Sequence, residues 1–198
     1  MNALALSRMG ALADARYVPF AVTVSLFVAL IGAGGVLYEG FLTPQVLLNL
    51  LIDNAFVCIV AVGMTFVILT GGIDLSVGSV IALTTMISAT LVERHGVNPA
   101  VAIPLVLAIG AIFGALQGLL VQRFRLQAFI VTLGGMFLAR GLCYLISTES
   151  ISIRNPVYGA IAQARIPVGF DASLSVGAVI AIAVVLTGMW VAHATQFG

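Results

Sequence analysis

Between Ala55 and Val92 the chain runs 38 residues with a single charge, Asp74. As one helix that stretch would extend about 57 Å at ~1.5 Å per residue, far beyond the ~30 Å hydrocarbon core of a bilayer. Gly71-Gly72 lies near its middle and supplies the break, so the stretch reads as two membrane spans. The same length test, about 20 mainly apolar residues per crossing, is met six times along the chain. The spans fall near Val18–Tyr38, Val46–Leu69, Leu75–Val92, Ala100–Val121, Phe129–Ile146 and Leu174–Ala192. Composition agrees: 62% of the 198 residues are hydrophobic and 8% charged, where a soluble domain carries about a quarter charged residues. Lipid must be the solvent for most of this surface. The expected fold is an all-α polytopic membrane helix bundle.

Punctuation marks the helix starts. Thr43-Pro44, Asn98-Pro99 and Asn155-Pro156 each place a capping residue before proline at the first helical position. The third signal opens a short helix, Pro156 to Ala164, inside the longest polar connection, Ser147–Ala172. That connection is a solvated loop by default, and an exposed loop on a rigid scaffold is also suited to docking an external partner. Residues 1–17 form an N-terminal segment ahead of a transmembrane domain spanning 18–198. The first span exceeds the roughly 7–15 apolar residues of a signal peptide, and Leu37-Tyr38-Glu39 is a poor cleavage site. It reads as an uncleaved signal-anchor.

Arginine placement gives the orientation. With the N-terminus in the cytoplasm, the inner segments hold Arg8, Arg16, Arg123 and Arg125. The outer loops hold Arg94, Arg154 and Arg165 against Glu39, Glu93, Glu149 and Asp171, so only the inner side has a positive balance.

Ionisable groups within lipid usually face a bundle interior or a watery path, which singles out Asp53, Asp74 and Arg140. Asp53 and Asn54 read either as a hydrogen-bonded pair fixing helix packing or as polar lining of a path for hydroxyl-bearing cargo. Arg140 either snorkels to the outer interface or pairs with Asp53, which lies at a similar depth. Asp74 can cap the helix that follows it, a role compatible with gating, since broken helices are tolerated where they line cavities. Gly110, Gly114 and Gly118 share one face of the fourth span. Small residues at that spacing let helices approach closely, and the alternative is a close-fitting ligand surface.

Several chemistries find no support. Cys58 and Cys143 sit in apolar runs without C-x-x-C spacing and read as small buried hydrophobes. His95 and His193 have no ligand-spaced partners, so no metal site is expected. No G-x-S-x-G, phosphate loop or Rossmann glycine pattern occurs, so no catalytic residues are assigned. A net charge of +1 gives no footprint for nucleic acid.

The run Val62-Gly63-Met64-Thr65-Phe66-Val67-Ile68-Leu69-Thr70-Gly71-Gly72-Ile73-Asp74-Leu75-Ser76-Val77-Gly78-Ser79 resembles the signature of ribose/galactofuranose-type sugar permeases of bacterial ABC transporters. Phe129-Ile130-Val131-Thr132-Leu133-Gly134-Gly135-Met136 with Arg140-Gly141 resembles a second block of that family, and the likeness extends from about Leu48 to Gly198. Thr148-Glu149-Ser150-Ile151 and Pro156-Val157-Tyr158 look most like the galactofuranose type. The resemblance implies an inner-membrane permease subunit of an ATP-driven monosaccharide importer. Its implied partners are a cytoplasmic ATPase subunit, a second permease subunit and a periplasmic sugar-binding protein. ATP would be used by the ATPase, so no cofactor and no enzymatic activity are expected of the permease. Within the two blocks Asp74, Ser76, Thr132 and Arg140 become candidates for pathway or gating, with Asp53 and Asn54, and Gly71 and Gly72 for the helix break. Family members continue past the position of Phe197-Gly198 into a loop that grips the ATPase, so the chain is expected to be a truncated portion without ATP-coupled transport of its own. The alternative is a nonfunctional or regulatory membrane protein without transport activity.

Overall fold

The computed structural model describes residues 3–169 and 172–195. Eight α-helices follow the order expected of a polytopic bundle: α1 (Ala3–Leu37), α2 (Pro44–Asp53), α3 (Ala55–Leu69), α4 (Val77–Ala89), α5 (Pro99–Phe124), α6 (Ala128–Ile146), α7 (Pro156–Gln163) and α8 (Val176–Ala194). Among the described residues five helices are long and apolar enough to cross a membrane, and six crossings result where the bent pair α2–α3 counts as one span. The last turn of the α4 crossing is a π-turn, Thr90–Arg94.

Two of the three cap-proline signals act through the side chain. Asn98 accepts from the Ala100 N–H at 2.9 Å to start α5, and Asn155 accepts from the Val157 N–H at 3.0 Å to start α7. Thr43 starts α2 by its extended backbone and the following proline alone. Helix α7 ends at Gln163, one residue short of the expected end.

Three departures from the sequence reading have local causes. The second span is not one helix: it breaks at Asn54 with a bend of 53°. Asn54 leaves helical geometry (φ −103°, ψ 9°), and its side-chain amide donates to Leu50 O at 2.8 Å, inserting into the backbone ladder. The polar connection after α6 also contains an antiparallel hairpin, β1 (Arg165–Gly169) and β2 (Ala172–Ser175). It is held to α2 by Gln45, whose amide accepts from Ser173 N–H at 2.8 Å and donates to Ser173 O at 3.3 Å, as a strand edge would. The last span therefore begins at Val176, with Leu174 in the hairpin and Ser175 capping the helix through Ala178 N–H at 3.1 Å.

Packing follows membrane rules rather than water-soluble ones. Large apolar side chains such as Phe20, Leu107, Phe137 and Leu145 face outward. Among the described residues the buried apolar side chains are alanines, apart from Leu83 and Val92. Without a hydrophobic drive between helices in lipid, association rests on close approach of small residues and on hydrogen bonds. Helix α4 packs chiefly against α6, where Thr132, Gly135 and Ala139 form the buried face, and α3 packs against α8. At the second seam Gly188 permits the close approach, since a Cβ there would lie 2.6 Å from Val62 Cγ1.

The end of the bundle that carries α7 is stitched across elements. The Glu93 carboxylate accepts from the Arg154 and Asn155 N–H groups at 2.7 and 2.9 Å. The Tyr158 and Ser88 hydroxyls bond at 2.6 Å.

Candidate functional site: a cavity beside the broken helix

Helix α3 stops because Gly71 takes the left-handed conformation, φ +73°. The Gly72 N–H then bonds to Val67 O at 3.0 Å and the Gly71 N–H to Ile68 O at 2.9 Å. This is the Schellman arrangement, which satisfies the last carbonyls of a helix and favours glycine at its left-handed residue. The chain runs non-helically until Val77. In hydrocarbon every exposed backbone polar group costs several kcal/mol, so such a segment must be satisfied internally or line a cavity. Both happen here.

Asp74 serves the start of α4. Its Oδ1 accepts from the Ser76 N–H at 2.7 Å and from the Ser76 hydroxyl at 2.7 Å. The carboxylate thus sits at the positive end of the α4 dipole. Ser76 is buried and in turn accepts from Gln117 Nε2 of α5 at 3.0 Å. The hydroxyl of Thr132 of α6, also buried, lies within hydrogen-bond reach of Ile73 O at 3.1 Å and shares its one proton with Ala128 O at 2.9 Å. Two neighbouring helices therefore reach into the break and hold it.

Beside this segment lies a cavity of about 780 Å³. Its walls are α3 from Val60 to Val67, the break itself, the first turns of α4, and the glycine face of α5. The structure brings together Gly71, Gly72, Asp74, Ser76, Thr132, Gly110, Gly114 and Gly118 on this one surface. The α5 glycines meet the cavity rather than a tight helix seam within this chain: a Cβ on Gly110 would touch only Thr84, at 3.6 Å, and one on Gly114 or Gly118 would meet nothing within 4 Å.

Asp53, Asn54 and Arg140 do not line the cavity. All three are exposed on the surface of the chain, and no ion pair joins Asp53 to Arg140 among the described residues. The expected pair is thereby corrected: similar depth along two helices says nothing about which way each residue points around its helix axis.

Gln117 was not singled out from the sequence. It lies three residues beyond Gly114 and one before Gly118, on the flank of the glycine face, and is an amide within a 26-residue helix. That combination was the available signal. Its head group lies against Gly135, where a Cβ would stand 2.8 Å from Gln117 Cδ.

Comparison with known proteins places this architecture. Residues 46–198 match the family described as branched-chain amino acid transport system / permease component. The inner membrane ABC transporter permease protein YjfF of Escherichia coli K12 is 45% identical over 92% of this chain and 55% of its own length. The fructose import permease protein FruG of Bifidobacterium longum is 38% identical over 93% of this chain and 56% of its own. The ribose import permease protein RbsC of E. coli K12 is 46% identical over 61% of this chain and 37% of its own. The chain spans about half the length of the first two relatives. No solved structure matches it. A multi-pass bundle broken where the signature predicts, matched over most of its length, settles the family: this chain belongs to the membrane permeases described as the permease component of branched-chain amino acid transport systems, a transport family and not an enzyme family.

Proposed function

We propose that this chain forms part of the translocation pathway of an ATP-driven monosaccharide importer in a bacterial inner membrane. The cavity beside the broken helix is the observation that carries the reading, because irregular backbone at membrane depth is tolerated where it lines a path. The likeness to FruG, a fructose import permease protein, and RbsC, a ribose import permease protein, supports a sugar over an amino acid as cargo. The lining supports it too: among the described residues no Arg, Lys or His borders the cavity to meet an amino acid's carboxylate. The energy source is a cytoplasmic ATPase subunit, with a second permease subunit completing the pathway and a periplasmic sugar-binding protein delivering cargo. In the arginine-based orientation residues 1–17 are cytoplasmic, and the Gly71-Gly72 break and its cavity lie in the cytoplasmic half. The permease's task is to exist in outward- and inward-open states that the ATPase can bias.

The test is uptake into membrane vesicles holding a permease extended from this chain to the length of its relatives, together with its ATPase and binding protein. ATP-dependent accumulation of a labelled monosaccharide, and none of labelled leucine, is expected. Accumulation of leucine in place of sugar would overturn the reading.

A further inference from the structure

The hydrogen bonds around Ser76 have a single consistent direction. The Ser76 hydroxyl donates its one proton to Asp74 Oδ1 at 2.7 Å, so its oxygen can only accept from Gln117 at 3.0 Å. Gln117 must therefore present its NH₂ to Ser76, which fixes its carbonyl oxygen on the other side. That Oε1 is buried and has no partner. A buried acceptor left unmade costs roughly 1–3 kcal/mol, yet α6 leaves room for this one by having Gly135 where any side chain would collide with the amide. The second Asp74 oxygen likewise accepts nothing among the described residues.

Gln117 and Asp74, both residues of the cavity lining, thus each hold an acceptor that no described residue meets, the Gln117 oxygen tucked against Gly135. A ligand that satisfies them must bring donors. A zwitterion would bring an ammonium group, but its carboxylate would find no basic side chain on the lining, and the positive end of α4 is already met by Asp74. A divalent cation would find one carboxylate only. A neutral polyhydroxylated molecule satisfies the acceptors without stranding a charge. About 780 Å³ lies within the 300–1,000 Å³ or so usual for small-ligand sites, and the adjoining Gly114 and Gly118 surface lets a sugar ring approach the backbone.

We propose that Gln117 and Asp74, joined through Ser76, form a hydroxyl-binding subsite for a neutral monosaccharide on the wall of this cavity, with the Gln117 amide turning toward the ligand as its orphaned oxygen gains a donor. The inference rests on the reading of the chain as a sugar permease and adds the residues that touch the sugar.

The experiment uses Gly118→Cys in the full chain after Cys58→Ser and Cys143→Ser, since a side chain at 118 meets nothing within 4 Å. The rate of labelling by a small membrane-impermeant thiol reagent is measured in native membranes, with and without millimolar sugar from a panel of aldopentoses, aldohexoses and ketohexoses, and with leucine. At least one sugar is expected to slow labelling threefold or more, with leucine without effect. Gln117→Leu is expected to abolish the protection and Ser76→Ala to weaken it. If those two variants do not yield folded protein, the comparison of sugars with leucine in the Gly118→Cys protein decides alone. Labelling unaffected by every sugar, protection by leucine equal to that by sugar, absence of labelling because another segment fills the cavity, or protection that survives Gln117→Leu would each overturn the subsite. Vesicles that accumulate sugar without any such protection would sink the subsite and leave the importer reading standing; loss of both would sink both.

Discussion

The contact between Gly135 and Gln117 makes a prediction whose sign depends on a second residue. In Gly135→Ala the new Cβ would fall 2.8 Å from Gln117 Cδ, 2.9 Å from Nε2 and 3.0 Å from Oε1. The obstacle is the far end of a flexible side chain, so the amide gives way, and its 3.0 Å bond to Ser76 Oγ breaks. That bond contributes about 0.5–1.5 kcal/mol net, and forcing the displacement costs about 1–3 kcal/mol. Against this, alanine is preferred to glycine inside a helix by about 1 kcal/mol. The single variant should therefore lose roughly 1–2 kcal/mol. With Gln117→Ala as background the obstacle and the bond are both gone, and Gly135→Ala should be neutral or stabilising by up to about 1 kcal/mol. The assay is a double-mutant cycle, following helical circular dichroism of the purified protein in mixed micelles of rising SDS fraction. A Gly135→Ala effect of the same sign and size in both backgrounds would show that these groups do not touch, and the proposed orientation of Gln117 would fall with it.

Three further outcomes follow from the geometry. Gly188→Ala should destabilise by about 1–3 kcal/mol through collision with the stiff Val62 side chain, and Val62→Ala should recover most of it, measured by the same SDS titration. Gly71→Ala places a Cβ residue at φ +73° and should cost about 1–2 kcal/mol, with no rescue by any neighbour since nothing lies within 4 Å. Charge reversal at Asp53 and at Arg140 should give independent effects on expression, and the double reversal should not restore what either loses, because the two are unpaired.

What the sequence revealed, and what it did not, divides along physical lines. The crossings were legible because length and hydropathy suffice for a helix in lipid. The break at Gly71-Gly72 was legible because a glycine pair followed by a lone acid leaves a chemical trace, although the acid bonds Ser76, the residue before α4, and not the first N–H groups of the helix. The bend at Asn54 was not, since one asparagine amide bonding back to Leu50 looks the same in sequence as one facing a partner. The hairpin at Arg165–Ser175 was hidden in a polar connection, and its anchor, Gln45, lies 128 residues away from Ser173. At the site, the glycine face of α5 was visible but its neighbour was not. Spacing shows which residues share a face; it does not show whether that face meets another helix or a cavity. The same gap defeated the Asp53–Arg140 pairing, since a depth counted along two helices does not fix direction around either axis.

The account turns on the glycine face of α5 bordering a watery cavity. In the protein lacking Cys58 and Cys143, single cysteines at Ile112, Gly114, Leu116 and Gly118 can be titrated with a charged thiol reagent in native membranes. Ile112 and Leu116, 59% and 56% exposed, lie off the cavity lining. Reaction at 114 and 118 with silence at 112 and 116 is the expected pattern. Four silent positions, or four equally reactive ones, would contradict it.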